Sequence, residues 1–283
     1  MEMIKDLLKG VVIGIANIIP GVSGGTMAVS MGIYDKLIHC VTHLFKEFKE
    51  SIKFLLPILV GAAIALVGLS FVIEAAFEKF PLPTNLLFIG LIVGGLPAVC
   101  RKVKGNKVKF GHIIAFAVFF AIVVGLAAMG EVEGAQADLT LSMGTVIKIF
   151  LIGILASATM VIPGVSGSMM LLLLGYYNPI ISTISAFITA LVSFDMAGIL
   201  QGMGILVPMG IGIIIGIFGI AKIIEIIFEK FPLYAYWSII GLIVASPIAI
   251  LLMSNMGTIT AGAVIAAVIA LIAGFFVAMK LGE

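Results

Sequence analysis

Residues 18–27, Ile-Ile-Pro-Gly-Val-Ser-Gly-Gly-Thr-Met, return as residues 161–170, Val-Ile-Pro-Gly-Val-Ser-Gly-Ser-Met-Met, with 163 − 20 = 143 positions between the two prolines. The same offset pairs Lys5 with Lys148, Gly10 with Gly153, Gly32 with Gly175 and Tyr34 with Tyr177. Farther on, Glu74–Pro81 (EAAFEKFP) matches Glu225–Pro232 (EIIFEKFP), and Gly90–Val93 matches Gly241–Val244, now at 225 − 74 = 151. Pro57 and Pro208 already obey the second offset. The chain is therefore an internal duplication whose second copy carries eight extra residues, expected between about 180 and 205.

Of the 283 residues 62% are hydrophobic and 11% charged, more apolar than a soluble core of this size requires, so lipid is the main solvent. Windows long enough to cross a hydrocarbon layer of about 30 Å lie near 54–73, 84–100, 110–129, 205–227, 234–253 and 258–279. Two further apolar regions, 10–45 and 142–192, are each cut by the Pro-Gly-Val-Ser-Gly break. Residues 1–25 imitate a secretory signal, with Lys5 and Lys9 ahead of an apolar run, but a signal would have no copy at residue 142.

Each half thus holds one broken region, which crosses an even number of times, and three spans. Three is odd, so the halves are expected to be inverted. The expected fold is an all-α integral membrane protein, one membrane domain over 1–283. It comprises two inverted-topology repeats, 1–130 and 142–279, each a broken, re-entrant helical hairpin plus three transmembrane helices. From Lys5 to Pro20 a helix would run about 22 Å, past the midplane unless tilted, which favours re-entry over a full crossing.

Arg101, Lys102, Lys104, Lys107 and Lys109 crowd one loop, whereas 131–138 carries Glu131, Glu133 and Asp138 and no basic residue. The positive-inside rule makes the first loop cytoplasmic and the second external. Both termini then fall inside, with Lys46, Lys49, Lys53, Lys230 and Lys280; Lys79 is the exception. Orientation is the simplest role for the 101–109 cluster, and attraction of anionic lipid is the alternative. Cys40 and Cys100 lie toward the cytoplasmic side, where a disulfide framework is not expected.

Proline removes an amide donor and glycine tolerates unusual backbone angles, so Pro20-Gly21 and Pro163-Gly164 should unwind a helix. The small residues that follow, Ser23-Gly24-Gly25-Thr26 and Ser166-Gly167-Ser168, read as the capped start of a new one. Free amides and the helix dipole there suit an anion. Irregular backbone at membrane depth is tolerated only around a cavity or inside protein, and paired broken helices in inverted repeats mark midplane transport sites. Tight packing alone explains glycines such as Gly90, Gly94, Gly212 and Gly216; it does not explain proline and serine in this order twice.

Glu74 and Glu225 occupy equivalent places near span ends, where a carboxylate either carries a proton or rests at headgroup level. Lys5 and Lys148 fall, by inversion, at opposite faces and either collect a phosphate head or anchor the interface. Tyr34, Tyr177 and Trp237 fit an aromatic belt. An intramembrane serine hydrolase is the weaker alternative for Gly21-Val22-Ser23-Gly24, since the motif occurs twice without matching bases among His39, His43 and His112. His39 and His43 have the i, i+4 spacing of metal ligands, but no third ligand is evident. No metal, cofactor, nucleotide or nucleic-acid partner is expected, nor enzymatic activity.

Asn17–Gly25 (NIIPGVSGG), Gly32–Asp35 (GIYD) and Ile162–Gly167 resemble the prokaryotic family of polyprenyl-phosphate transporters, formerly a domain of unknown function, and the resemblance spans nearly the whole chain. It implies return of undecaprenyl phosphate, the carrier lipid of cell-wall synthesis, across the cytoplasmic membrane of a prokaryote. The phosphate-binding residues implied are Asn17, Ser23, Gly24, Gly25, Thr26, Ser166, Gly167 and Ser168. Met160 for Asn17, Ser168 for Gly25, Asn178 for Asp35 and Pro179 for Lys36 set the second copy apart, and the first is expected to supply more of the polar chemistry. The expectation is alternating access with the prenyl tail in lipid and protons as candidate coupling ions. The rival is an ion-coupled carrier of a small water-soluble anion. A homo-oligomer is compatible with the sequence.

Overall fold

The computed structural model describes residues 2–18, 23–129, 137–254 and 256–282. Among them there is no strand. The helices are α1 (Glu2–Ile18), α2 (Gly24–Ser30), α3 (Tyr34–Thr42), α4 (Phe48–Ile64), α5 (Ser70–Lys79), α6 (Pro81–Val103), α7 (Phe110–Met129), α8 (Met143–Val161), α9 (Gly167–Leu173), α10 (Tyr177–Ser193), α11 (Met196–Lys230), α12 (Pro232–Met253) and α13 (Ala261–Leu281). A π-helical stretch, Ala65–Leu69, joins α4 to α5. Seven helices are long and apolar enough to cross a membrane: Phe48–Leu69, α6, α7, α8, α11, α12 and α13. An eighth is counted if α9 and α10, bent by 108° at their junction, form one broken span. The protein is an all-helical, multi-pass membrane protein.

The order of elements occurs twice, and local chemistry explains each match. Pro81 and Pro232 open α6 and α12, where a missing amide donor costs nothing, behind Phe80 (φ −135°, ψ 55°) and Phe231 (φ −136°, ψ 53°). Gly32 (φ +67°) and Gly175 (φ +74°) take the left-handed conformation just after α2 and α9, which only glycine adopts freely. α10 has 17 residues against nine in α3, so the eight extra residues of the second copy lengthen this helix.

The chain packs as two units. The first comprises Met1–Ala128, Ile162–Ser166 and Ala221–Glu283, and so does not follow the repeat boundary, since α12 and α13 join helices of the first half. α1 crosses α4 so closely that a Cβ on Gly10 would strike the Ile58 carbonyl and one on Gly61 the Leu7 carbonyl. α13 lies against α6 in the same way, with Gly90 and Gly94 facing the carbonyls of Leu271 and Phe275, and Gly241 of α12 faces that of Phe116 in α7. These are small-residue contacts of the kind membrane helices use to approach. The second unit comprises Met129–Val161 and Gly167–Ile220, with Ile149, Ile180, Ile205 and Met209 at its core. Here Gly153 meets the Met209 carbonyl and Gly212 that of Phe150. These residues stand at the repeat offsets from Gly10, Ile58, Gly61 and Leu7, so one helix crossing has been built twice.

Candidate functional site

Pro20 and Gly21 lie outside the described residues; their counterparts Pro163 and Gly164 form a turn after α8, with Gly164 at φ +83°. Val165 and Ser166 are non-helical, and α9 begins at Gly167. In the first copy Ser23 is extended (φ −109°, ψ 132°) and α2 begins at Gly24, so the expected restart of the helix is present in both. The ladder of α2 opens with Met27 N–H to the Ser23 carbonyl, which leaves the amides of Gly24, Gly25 and Thr26 ahead of it.

One detail departs from the sequence expectation. Ser23 occupies the cap position, yet its hydroxyl makes no cap bond. It is 3% exposed, and its Oγ has no hydrogen-bond partner among the described residues. A buried hydroxyl left without a partner costs about 1–3 kcal/mol, and Ser51 Oγ and Asn85 Oδ1 share this state among the described residues.

Thr26, fully buried, accepts a hydrogen bond from the Gly164 amide at 2.7 Å. A residue of the first break thereby holds the turn of the second. Met169 stands at the place equivalent to Thr26, so the bond has no mirror image. The amide of Asn17 fills the space that a Gly24 side chain would take, and Met160 does the same over Gly167. Ser166 and Ser168 are half-buried and Gly167 is buried.

The two glutamates differ. Glu74 on α5 is exposed, whereas Glu225 on α11 is 7% exposed and sits in a polar cluster. Its Oε1 accepts from Thr42 Oγ1 at 2.8 Å and lies 3.1 Å from His43 Nδ1 and 3.9 Å from His39 Nδ1. Its Oε2 accepts from Lys222 Nζ. The two imidazoles stack at 4.3 Å, and His39 Nε2 reaches Glu47 at 3.1 Å. The sequence showed the histidine pair and the glutamate separately; nothing in it joins residues some 180 positions apart.

Glu225 is the third ligand-type residue that the sequence did not offer, and the ligand atoms of His39, His43 and Glu225 lie within 4.8 Å of one another. Both carboxylate oxygens are already engaged, however, and the Lys222 ammonium supplies the positive charge a cation would bring. The cluster is a hydrogen-bonded and ion-paired group centred on the Glu225 carboxylate. Lys5 on α1 and Lys148 on α8 are each exposed. Tyr34, expected in an aromatic belt, is instead buried at 3% and packs 6.3 Å from the Phe228 ring.

Apolar spans with two short helices restarting after them define a multi-pass membrane protein with broken helices. The family follows from similarity: residues 13–206 match the undecaprenyl phosphate translocase-like family, and the chain belongs to it. It is 33% identical over 249 residues to the polyprenyl-phosphate transporter of Staphylococcus aureus (strain NCTC 8325 / PS 47), covering 87% of this chain and 85% of that protein. It is 26% identical over 218 residues to the polyprenyl-phosphate transporter of Vibrio cholerae serotype O1 (strain ATCC 39315 / El Tor Inaba N16961), covering 72% and 67%. No solved structure matches the chain.

Proposed function

We propose that this protein carries a polyprenyl phosphate, undecaprenyl phosphate where that is the cell-wall carrier, across the cytoplasmic membrane by alternating access. The observation that carries this reading is Ser23, a buried hydroxyl at the start of α2 with no hydrogen-bond partner among the described residues. A phosphate placed there would accept from the Ser23 hydroxyl and gain from the positive end of the helix. Asn17 and Thr26 flank that position, and Ser166, Gly167 and Ser168 supply the corresponding start of α9. The phosphate alone needs a polar path; the prenyl tail stays in lipid. The names of the relatives support the substrate class, and Lys5 and Lys148 are read as collectors of the head at opposite faces.

The duplicated order of helices, with three spans after each break, supports repeats 1–130 and 142–279 in inverted orientation, both termini cytoplasmic and the breaks re-entrant. Protons are the coupling ion in this scheme. Glu225, faced by His39, His43, Lys222 and Thr42 with Glu47 behind, is the carrier; Glu74 is its exposed counterpart in the other repeat. Transport of fluorescent polyprenyl phosphate into the inner leaflet of proteoliposomes tests the function. Movement of the lipid without release of inorganic phosphate supports it. Release of free phosphate would indicate a hydrolase, and uptake of a small anion with the lipid ignored would indicate the soluble-anion carrier.

A further inference from the structure

At the end of α2 away from Ser23 the first unit holds a cavity of about 270 Å³. α2 has seven residues, so the cavity begins roughly 10 Å along its axis from the break. Arg101 and Lys102 of α6 stand at its wall with Asp35 and Tyr236, while Val99 and Ile239 give it an apolar side. Among the described residues of the wall, Arg101 and Lys102 face a single carboxylate, Asp35. Asp35 Oδ2 accepts from the Tyr236 hydroxyl at 2.9 Å and lies 3.7 Å from Lys102 Nζ. Arg101 has no carboxylate at salt-bridge distance among the described residues.

We propose that the Arg101–Lys102 cavity is a second phosphate-monoester site, separate from the helix breaks, in which Asp35 competes with the ligand for Lys102. A guanidinium fork with no carboxylate partner among the described residues suits two phosphate oxygens, and Lys102 is close enough to turn from its loose contact with Asp35 to a third. The apolar side accepts the first carbons of a chain. The C-terminal end of α2 and the Asp35 carboxylate both oppose an anion, so the site binds weakly and returns the ligand readily, as a carrier's release point must. The inference rests on the carrier reading for the lipid tail and on Arg101 and Lys102 for the head.

The test uses full-length detergent-solubilised protein with Cys40→Ala, Cys100→Ala and Ala98→Cys, which places a thiol in the cavity wall. Farnesyl phosphate, inorganic phosphate and farnesol are compared for protection of that thiol from maleimide. Farnesyl phosphate should protect, farnesol should not, and Arg101→Gln should raise the half-protecting concentration about tenfold. Asp35→Asn should lower it, an effect that a merely structural Asp35 would not produce. Lys102→Gln gives a second reading should Arg101→Gln fold poorly. Equal protection by farnesol, or protection unchanged in both basic variants, overturns the site. Equal protection by inorganic phosphate keeps the phosphate site but removes the lipid as its ligand. Ser23→Leu separates the two proposals: protection persisting while transport is lost supports both, and protection lost in Ser23→Leu but intact in the basic variants overturns this one alone.

Discussion

At the scale of one residue, the proposed site sets stability against transport at Ser23. Ser23→Ala removes a buried oxygen with no partner, so folding should be unchanged or improved, by up to about 1–3 kcal/mol. A hydrogen bond to a charged ligand is worth about 1.5–3 kcal/mol, so the same variant should transport roughly 10- to 100-fold more slowly. Thermal unfolding in detergent beside proteoliposome transport checks this, and a variant both stable and fully active would remove the hydroxyl from the site. Glu225→Gln tests the coupling. It keeps the contact with Thr42 but cannot take or give up a proton, so transport should lose its dependence on pH while lipid binding persists. Glu74→Gln, at an exposed position, should have the smaller effect, and an unchanged pH profile in the double variant would end the proton proposal.

Single helices owe their form here to short signals and their placement to glycine. Gly10 and Gly61 let α1 and α4 touch backbone to backbone, as Gly153 and Gly212 do for α8 and α11. Gly61→Leu and Gly212→Leu each place a branched side chain against a carbonyl, an overpacking that costs about 1–3 kcal/mol. Both should lower the unfolding temperature, whereas Gly125→Leu, which meets open space, should leave it unchanged. Equal loss in all three would mean that the close crossings are not what the glycines serve. Gly32→Ala and Gly175→Ala should also destabilise, through the left-handed backbone at each position.

For the whole molecule the sharpest test is topology. With Cys40 and Cys100 replaced, an impermeant maleimide applied to intact cells should label Gly134→Cys, in a segment outside the described residues, and miss Gly105→Cys. The reverse pattern would invert the scheme, and labelling of both would break it. All six apolar windows correspond to helices long enough to cross, and the seventh such helix, α8, is the first limb of the second broken region. Period and apolar length settle these because lipid leaves a helix no other way to satisfy its backbone. The 108° bend between α9 and α10 had only a cue in Gly175, which permits a turn without fixing its angle.

The sequence by itself determined the duplication, the all-helical membrane class, the two breaks and the glycines of close approach, because each is written in local chemistry repeated at a fixed offset. The tertiary structure alone decided that Thr26 holds the Gly164 turn, that Glu225 is buried among His39, His43 and Lys222 while Glu74 is exposed, and that Arg101 borders a cavity. The physical reason is distance along the chain. A hydroxyl and an amide 138 residues apart meet only after helices have packed. Two glutamates in equivalent sequence then find different surroundings, because Glu225 meets α3 of the first copy whereas Glu74 lies exposed on α5.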